Sequence, residues 1–205
     1  MSTMMKNHRT TAWLALAAMV VFSTMVFAHH GLAEFDGTWG AARTRNHQYL
    51  SRLAPVVDAL ERGIAAAPRA ARRVALDIGA GNGLHSRFLA PHFGTLASVD
   101  LSMEMLRRAP AGPAALVCGD ASRLPVADGS IDALVLCNCF LFPAEVARVL
   151  SPSGVLAWIN SRGTGTPIHL PADEVDAALP GAWEGVASTA GWGTWSVHWR
   201  QSPYS

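Results

Sequence analysis

Lysine is nearly absent from this chain. Lys6 is the only one among 16 basic residues, set against 15 acidic ones, for a formal net charge of +1. The arginines are scattered and form no basic stripe, so the electrostatic footprint of a nucleic-acid-binding surface is missing. With abundant Ala and Arg, the lysine deficit has the coding bias of a GC-rich bacterial gene. Cysteine is scarce too: Cys118, Cys137 and Cys139 are the full complement of three. The spacing of the last two suits neither a zinc finger nor a redox dithiol. An odd number of thiols in or beside apolar runs reads as small buried hydrophobes in a reducing compartment. There are no repeats and no low-complexity tracts. Half of the 205 residues are hydrophobic, enough for one core domain plus a small extension.

The most informative stretch that is present is VALDIGAGNG, Val74 to Gly83. A short apolar run stopped by glycine reads as a buried parallel strand. Gly79, Gly81 and Gly83 permit a tight turn and let a ligand approach the main chain. A helical pattern follows, with Leu84, Phe88 and Leu89 on one face, which aims a helix N-terminus at that ligand. Glycines alone are also compatible with a purely structural turn. The dinucleotide fingerprint needs glycine at the first, third and sixth positions. Counted from Gly79, the sixth position is Leu84, which disfavours a nicotinamide cofactor.

The spacing found instead, acid-x-Gly-x-Gly-x-Gly from Asp77, resembles the first motif of the class I S-adenosylmethionine (SAM) dependent methyltransferases. LASVDLSMEML, Leu96 to Leu106, resembles the second strand of that family with its terminal acid, Asp100. Ser102 suits the N-cap of the helix after it. The Gly-Asp-Ala-x-x-Leu-Pro within Ala115 to Asn138 is similar to the third motif, and IDALVLCN to the fourth strand. EVARVLSPSGVLAWIN, Glu145 to Asn160, resembles the following helix, turn and fifth strand. The segments stand in the family's order, and the resemblance covers roughly residues 73–200.

The resemblance implies an α/β fold: a Rossmann-like class I methyltransferase sheet, mostly parallel and seven-stranded, with an antiparallel last hairpin and helices on both faces. It implies SAM as methyl donor. Asp77, Gly79, Ala80, Gly81 and Gly83 would frame its methionine moiety. Asp100 and Leu101 would hold the ribose, with Asp100 accepting from both hydroxyls. Asp120 and Ala121 would hold the adenine, and Asn138 would close the pocket floor. Asp77, at the glycine turn, is expected to orient the loop by bonding its backbone amides. No catalytic residue is fixed: His169 and His47 are weak candidates for a general base, and His85 lies nearer cofactor than substrate. No metal is expected. The acceptor is a small molecule by default, because the chain lacks room for a large recognition domain. Between the fourth strand and Arg148-Val149-Leu150 only residues 139–147 intervene, rich in Phe140, Leu141, Phe142 and Pro143, where family members usually carry more. The alternatives are a non-catalytic SAM- or nucleotide-binding protein and, less favoured, a nicotinamide-dependent oxidoreductase.

Three regions are expected: an apolar leader over 1–30, a helical extension over 31–72 and the SAM-binding domain over 73–205. Thr11 to Ala28 is apolar and uncharged behind a short basic stretch, which reads as a signal peptide or a short anchor. That conflicts with a cytoplasmic co-substrate, and a start codon placed too far upstream ranks first among its explanations. The expected location is therefore cytoplasmic, with membrane contact only if that segment is retained. His29 and His30 read as a polar flank. From Arg43 a helix is expected, with Tyr49, Leu50, Leu53, Val56, Val57 and Leu60 at helical spacing, broken or restarted at Pro55 and stopped at Gly63. Trp39, Arg43, His47 and Tyr49 either touch ligand or pack on the core.

Beyond the fifth strand, the loop over 161–169 falls on the ligand side of the sheet. A helix is expected after Pro171. WEGVASTA and TWSVHWR flank Gly191-Trp192-Gly193 as a hairpin, with Trp195, Val197 and Trp199 forming its one buried face.

Overall fold

Strand β1 (Val74–Ile78) is buried on both faces and lies inside the sheet. The chain then adds β2 (Thr95–Asp100) and β3 (Ala115–Cys118) outward on one side, each parallel to its neighbour. On the other side follow β4 (Ile131–Cys137) and β5 (Leu150–Asn160), also parallel. The hairpin of β6 (Trp183–Ala190) and β7 (Gly193–Arg200) completes seven strands in the order β3-β2-β1-β4-β5-β7-β6. β7 runs antiparallel to both β5 and β6. This computed structural model describes residues 47–67 and 72–201. Contacts divide the chain into units Met1–Arg43 and Thr44–Ser205, and every described residue lies in the second. The leader segment, His29, His30, Trp39 and Arg43 therefore fall outside the described residues. Among those described, no helix is long and apolar enough to cross a membrane.

The alternation of side chains along each strand builds two cores. Ala75, Ala133, Val135, Val155, Ala157 and Ile159 face one side. There they meet α1 (His47–Asp58) and α2 (Ser86–Leu89) through Leu53, Val56, Leu60, Ile64 and Leu89. Leu76, Ile78, Leu134, Leu136, Leu156 and Trp158 face the other. α4 (Pro143–Val149) and α5 (Ala172–Ala178) cover that side with Val146, Val149 and Val175. Between α2 and α4 in sequence, α3 (Met103–Arg107) buries Leu106. Each fully buried aliphatic side chain contributes roughly 1.5–3 kcal/mol. Helices thus cover both faces of a mostly parallel sheet with an antiparallel last hairpin, as expected.

Five expectations need correction. The helix does not break at Pro55: α1 contains it and continues through a π-turn (Ala59–Gly63) into a last α-turn (Ile64–Ala66). Proline removes the N–H that would have bonded the Ser51 carbonyl four residues back. That carbonyl is not orphaned, because the Trp192 backbone N–H donates to it at 3.1 Å. Gly63 is not a stop but a point of close approach, where a Cβ would stand 2.5 Å from Val197 Cγ2. Leu50 is exposed, outside the buried stripe. Cys118 is exposed because β3 is an edge strand. β7 is buried on both faces, since it lies inside the sheet with α5 over its second face. On that face His198 is fully buried. Its Nδ1 lies 2.7 Å from Asp176 Oδ1 and its Nε2 lies 2.7 Å from Ser196 Oγ.

Candidate functional site

In a doubly wound sheet the strand order reverses at one point, leaving a crevice at the carboxyl ends of the strands. Here β1 and β4 flank that point. The turn after β1 carries three residues in the left-handed region, Gly79 (φ 68), Gly81 (φ 58) and Gly83 (φ 67). Gly79 has a second reason to lack a side chain: a Cβ there would lie 2.8 Å from Cys139 Sγ. The turn is tied to β2, with Gly79 N and Ala80 N both donating to the Val99 carbonyl at 2.9 and 3.1 Å. α2 then starts at Ser86, whose hydroxyl lies 2.8 Å from that of Ser98 beneath the turn.

Asp100 joins the turn to the second strand. One carboxylate oxygen accepts from Gly81 N at 2.7 Å, and the other accepts from Ser102 N at 2.8 Å. Ser102 in turn caps α3, its hydroxyl accepting from Met105 N at 3.3 Å. Beside Asp100, Leu101 is 63% exposed and Met103 is also exposed at this edge. Two apolar side chains left in the open next to a carboxylate offer a surface for a partly apolar ligand.

Asp77 does something other than expected. It is 1% exposed, and among the described residues its Oδ2 has no hydrogen-bond partner. It does not hold the loop amides; Asp100 does. Desolvation, reinforced by the negative charge of Asp100, pushes the Asp77 carboxyl up to about 7. Burial likewise pushes Cys139 up to about 12, so this thiol is no nucleophile at neutral pH. His85, half-buried at the start of α2, is pushed down to about 4, chiefly by desolvation and further by Arg87. It is a neutral imidazole at neutral pH.

The same edge receives the ends of the other strands. Gly119 N donates to the Asp100 carbonyl at 3.0 Å, which sets Asp120 and Ala121 next to the second strand. Asp120 Oδ1 accepts from Ser122 N at 2.8 Å. Ala121 lines an apolar hollow with Ile78, Phe140 and Phe142. Asn138 follows β4 with φ 52, the one described non-glycine residue in that region, and asparagine tolerates it better than most residues. Its side chain clamps two strand ends together: Nδ2 donates to Ser161 Oγ at 2.9 Å, and Oδ1 accepts from Ser161 N at 2.9 Å. Asp77, Gly79, Ala80, Gly81, Gly83, Asp100, Leu101, Asp120, Ala121 and Asn138 thus all stand at the carboxyl ends of β1 to β4.

The histidine candidates are less well placed. Among the described residues, His169 makes a backbone bond to the Thr166 carbonyl at 2.9 Å and no side-chain bond. His47 opens α1, and its side chain is not among those described. Two features had not been singled out. Ser161 pairs with Asn138 across the strand ends. Arg148 ties the third-motif loop to α4, donating to the Leu124 and Val126 carbonyls at 3.1 and 2.9 Å, to Glu145 and to Asp128. Glu145 also accepts from Leu124 N at 2.5 Å, and its pairing with Arg148 holds its carboxyl below the usual range. The Arg148-Val149-Leu150 segment carried the signal for this hub, but not its partners.

With that geometry in place, comparison with known proteins is decisive. Residues 76–158 match the family model described as a methyltransferase domain. Over those residues the chain carries a methyltransferase domain with the class I sheet. The biotin biosynthesis bifunctional protein of Cellvibrio japonicus is 33% identical over 148 residues, which is 67% of this chain and 27% of that one. The malonyl-[acyl-carrier protein] O-methyltransferase of Dechloromonas aromatica is 34% identical over 144 residues, 61% of this chain and 53% of that one. The chain thus spans about half or less of the length of these curated relatives. A protein of Pyrococcus horikoshii shares the fold with a TM-score of 0.60 at 16% identity, covering 77% of this chain and 93% of that one.

Proposed function

We propose that this methyltransferase uses SAM and passes its methyl group to a small-molecule acceptor by in-line transfer. The observation that carries the reading is Asp100, a carboxylate at the end of β2 that braces the glycine turn and stands beside the exposed Leu101. Each carboxylate oxygen accepts more than one hydrogen bond, so the two bonds already made leave capacity for ribose hydroxyls. The site suits SAM in two further respects. The unpartnered, buried Asp77 oxygen suits a ligand carrying positive charge. The left-handed Gly79 and Gly81 leave the main chain bare of side chains where a ligand would lie.

When bound, SAM supplies a methyl on a sulfonium, an already activated leaving arrangement. What the chain's own residues supply is then mainly positioning. Asp100 and Leu101 would hold the ribose, Asp120 and Ala121 the adenine, and the glycine turn the methionine end. The Asn138–Ser161 clamp fixes the spacing of β4 and β5, between which the acceptor would present its nucleophile. A general base is needed only for an acceptor that must lose a proton, and His169 is the candidate within the described side chains. The named activities of the two relatives make acyl-type small molecules a sensible first acceptor panel.

The test is calorimetric titration of the full-length protein with SAM and, separately, NAD. SAM binding without NAD binding is expected, as is S-adenosylhomocysteine production when acceptors are supplied. Asp100→Ala should weaken SAM by roughly 30- to 1000-fold, because bonds to charged groups contribute about 1.5–3 kcal/mol each. Wild-type affinity in that variant would remove the ribose assignment. Binding of SAM with no turnover on any acceptor would favour the non-catalytic reading. For His169, Ala substitution should lower turnover more than SAM affinity; unchanged turnover would remove it as a base.

A further inference from the structure

We propose that Asp77 is a proton-linked sensor of the cofactor: the buried carboxyl holds a proton while the cleft is free and gives it to solvent when a cationic ligand enters. This rests on SAM being that ligand, as proposed above.

The geometry sets Asp77 apart from every other acid at the cleft. Asp100 and Asp120 accept backbone N–H groups. Asp77 is more deeply buried than either, and among the described residues its Oδ2 accepts from nothing. An unpaired, desolvated carboxylate is among the costliest groups a fold can hold, and protonation is the usual relief.

The surrounding elements offer no other relief. From β2 and its end come the neutral Ser98, level with Asp77 in the register, and the negative Asp100. From β4 and the residues after it come Cys137 and Cys139, both pushed up by burial and so uncharged. From α2 and its start come Ser86, His85 and Arg87. Burial keeps His85 neutral, while Arg87 is exposed and lies over the Phe88 ring. Among the described residues no cation forms an ion pair with Asp77, and the carboxyl sits near 7 in consequence.

A ligand bringing a sulfonium and an ammonium to the glycine turn supplies the missing positive charge. An opposite charge within a few ångströms favours the ionised carboxyl. The proton then leaves Asp77 for the buffer, and the cationic ligand takes its place as the compensating charge. By linkage, SAM affinity should fall on acidification below pH 7, by up to about tenfold per pH unit. Above that pH the carboxyl is already ionised, and affinity should level off.

The experiment is calorimetry of SAM binding to the full-length protein at pH 6 in buffers of different ionisation enthalpy. The ligand's own ammonium is fully charged there. Release of close to one proton per SAM is expected from the wild type and none from Asp77→Asn. Infrared difference spectra with carbon-13-labelled aspartate give a second readout that needs no variant. A protonated carboxyl band should vanish on adding SAM. Binding without proton release at pH 6, or release that persists in Asp77→Asn, overturns this inference and leaves the SAM reading intact. Failure of the wild type to bind SAM at all overturns the reading beneath it.

Discussion

Asp77 holds a charge that the fold resists, and the resistance has a sign. Its folded carboxyl is raised from 3.8 to about 7, so between those values the folded chain binds protons that the unfolded chain has lost. Stability therefore falls as pH rises through that window and stays lowered above it. Asp77→Asn should remove this slope and raise the melting temperature at pH 8, with a gain of up to about 4 kcal/mol at 1.36 kcal/mol per pH unit. Thermal melts of both proteins from pH 4.5 to pH 8 are the check; an unchanged slope in the variant would assign the titration elsewhere. The same residue marks the limit of sequence reading. Both Asp77 and Asp100 were legible as acids near the carboxyl ends of apolar strands. Which of them reaches the glycine turn was not, since that depends on the stagger between β1 and β2.

At the scale of elements, α4 is held to the third-motif loop by two side chains, Glu145 and Arg148, of which Arg148 makes the larger set of bonds. Surface ion pairs contribute little alone, but the Arg148 fork also meets two backbone carbonyls, and lysine cannot reproduce that planar set of donors. Arg148→Lys should therefore loosen the loop near Leu124 and Val126 more than it lowers global stability. Faster amide exchange at Leu124, with a small shift in melting temperature, is the expected pattern. Uniformly faster exchange across β4 and β5 would assign Arg148 a global role instead. The strands were legible from apolar runs and the β6–β7 hairpin from its glycines. α1 was misread at Pro55 and Gly63 for a physical reason: local propensity registers a missing donor and a missing side chain. It does not register that a distant strand, with Trp192 and Val197, has a use for both absences.

At the scale of the whole molecule, every residue proposed for the cofactor lies in the second contact unit and within the family match over residues 76–158. A chain beginning near Leu32 should therefore fold and bind SAM within about threefold of full-length affinity. Insolubility of the shortened chain beside a soluble full-length one would show that the first residues are needed. What the sequence could not convey at this scale is the seating of the hairpin. β7 enters between β5 and β6 with both faces covered, and no period-2 pattern tells an inserted strand from an outer one.

The Ser51 carbonyl left open by Pro55 has a consequence for how the protein is made. Its partner is Trp192, and close by Trp195 Nε1 donates to Asp58 Oδ2 at 2.8 Å across 137 residues of chain. A ribosome delivers α1 well before the hairpin. Until β7 clears the exit tunnel, the apolar stripe of Leu53, Val56 and Leu60 lacks much of its native seat. The nascent chain must carry that greasy helix while all the strands between are made, which makes this segment the natural place for a chaperone to hold.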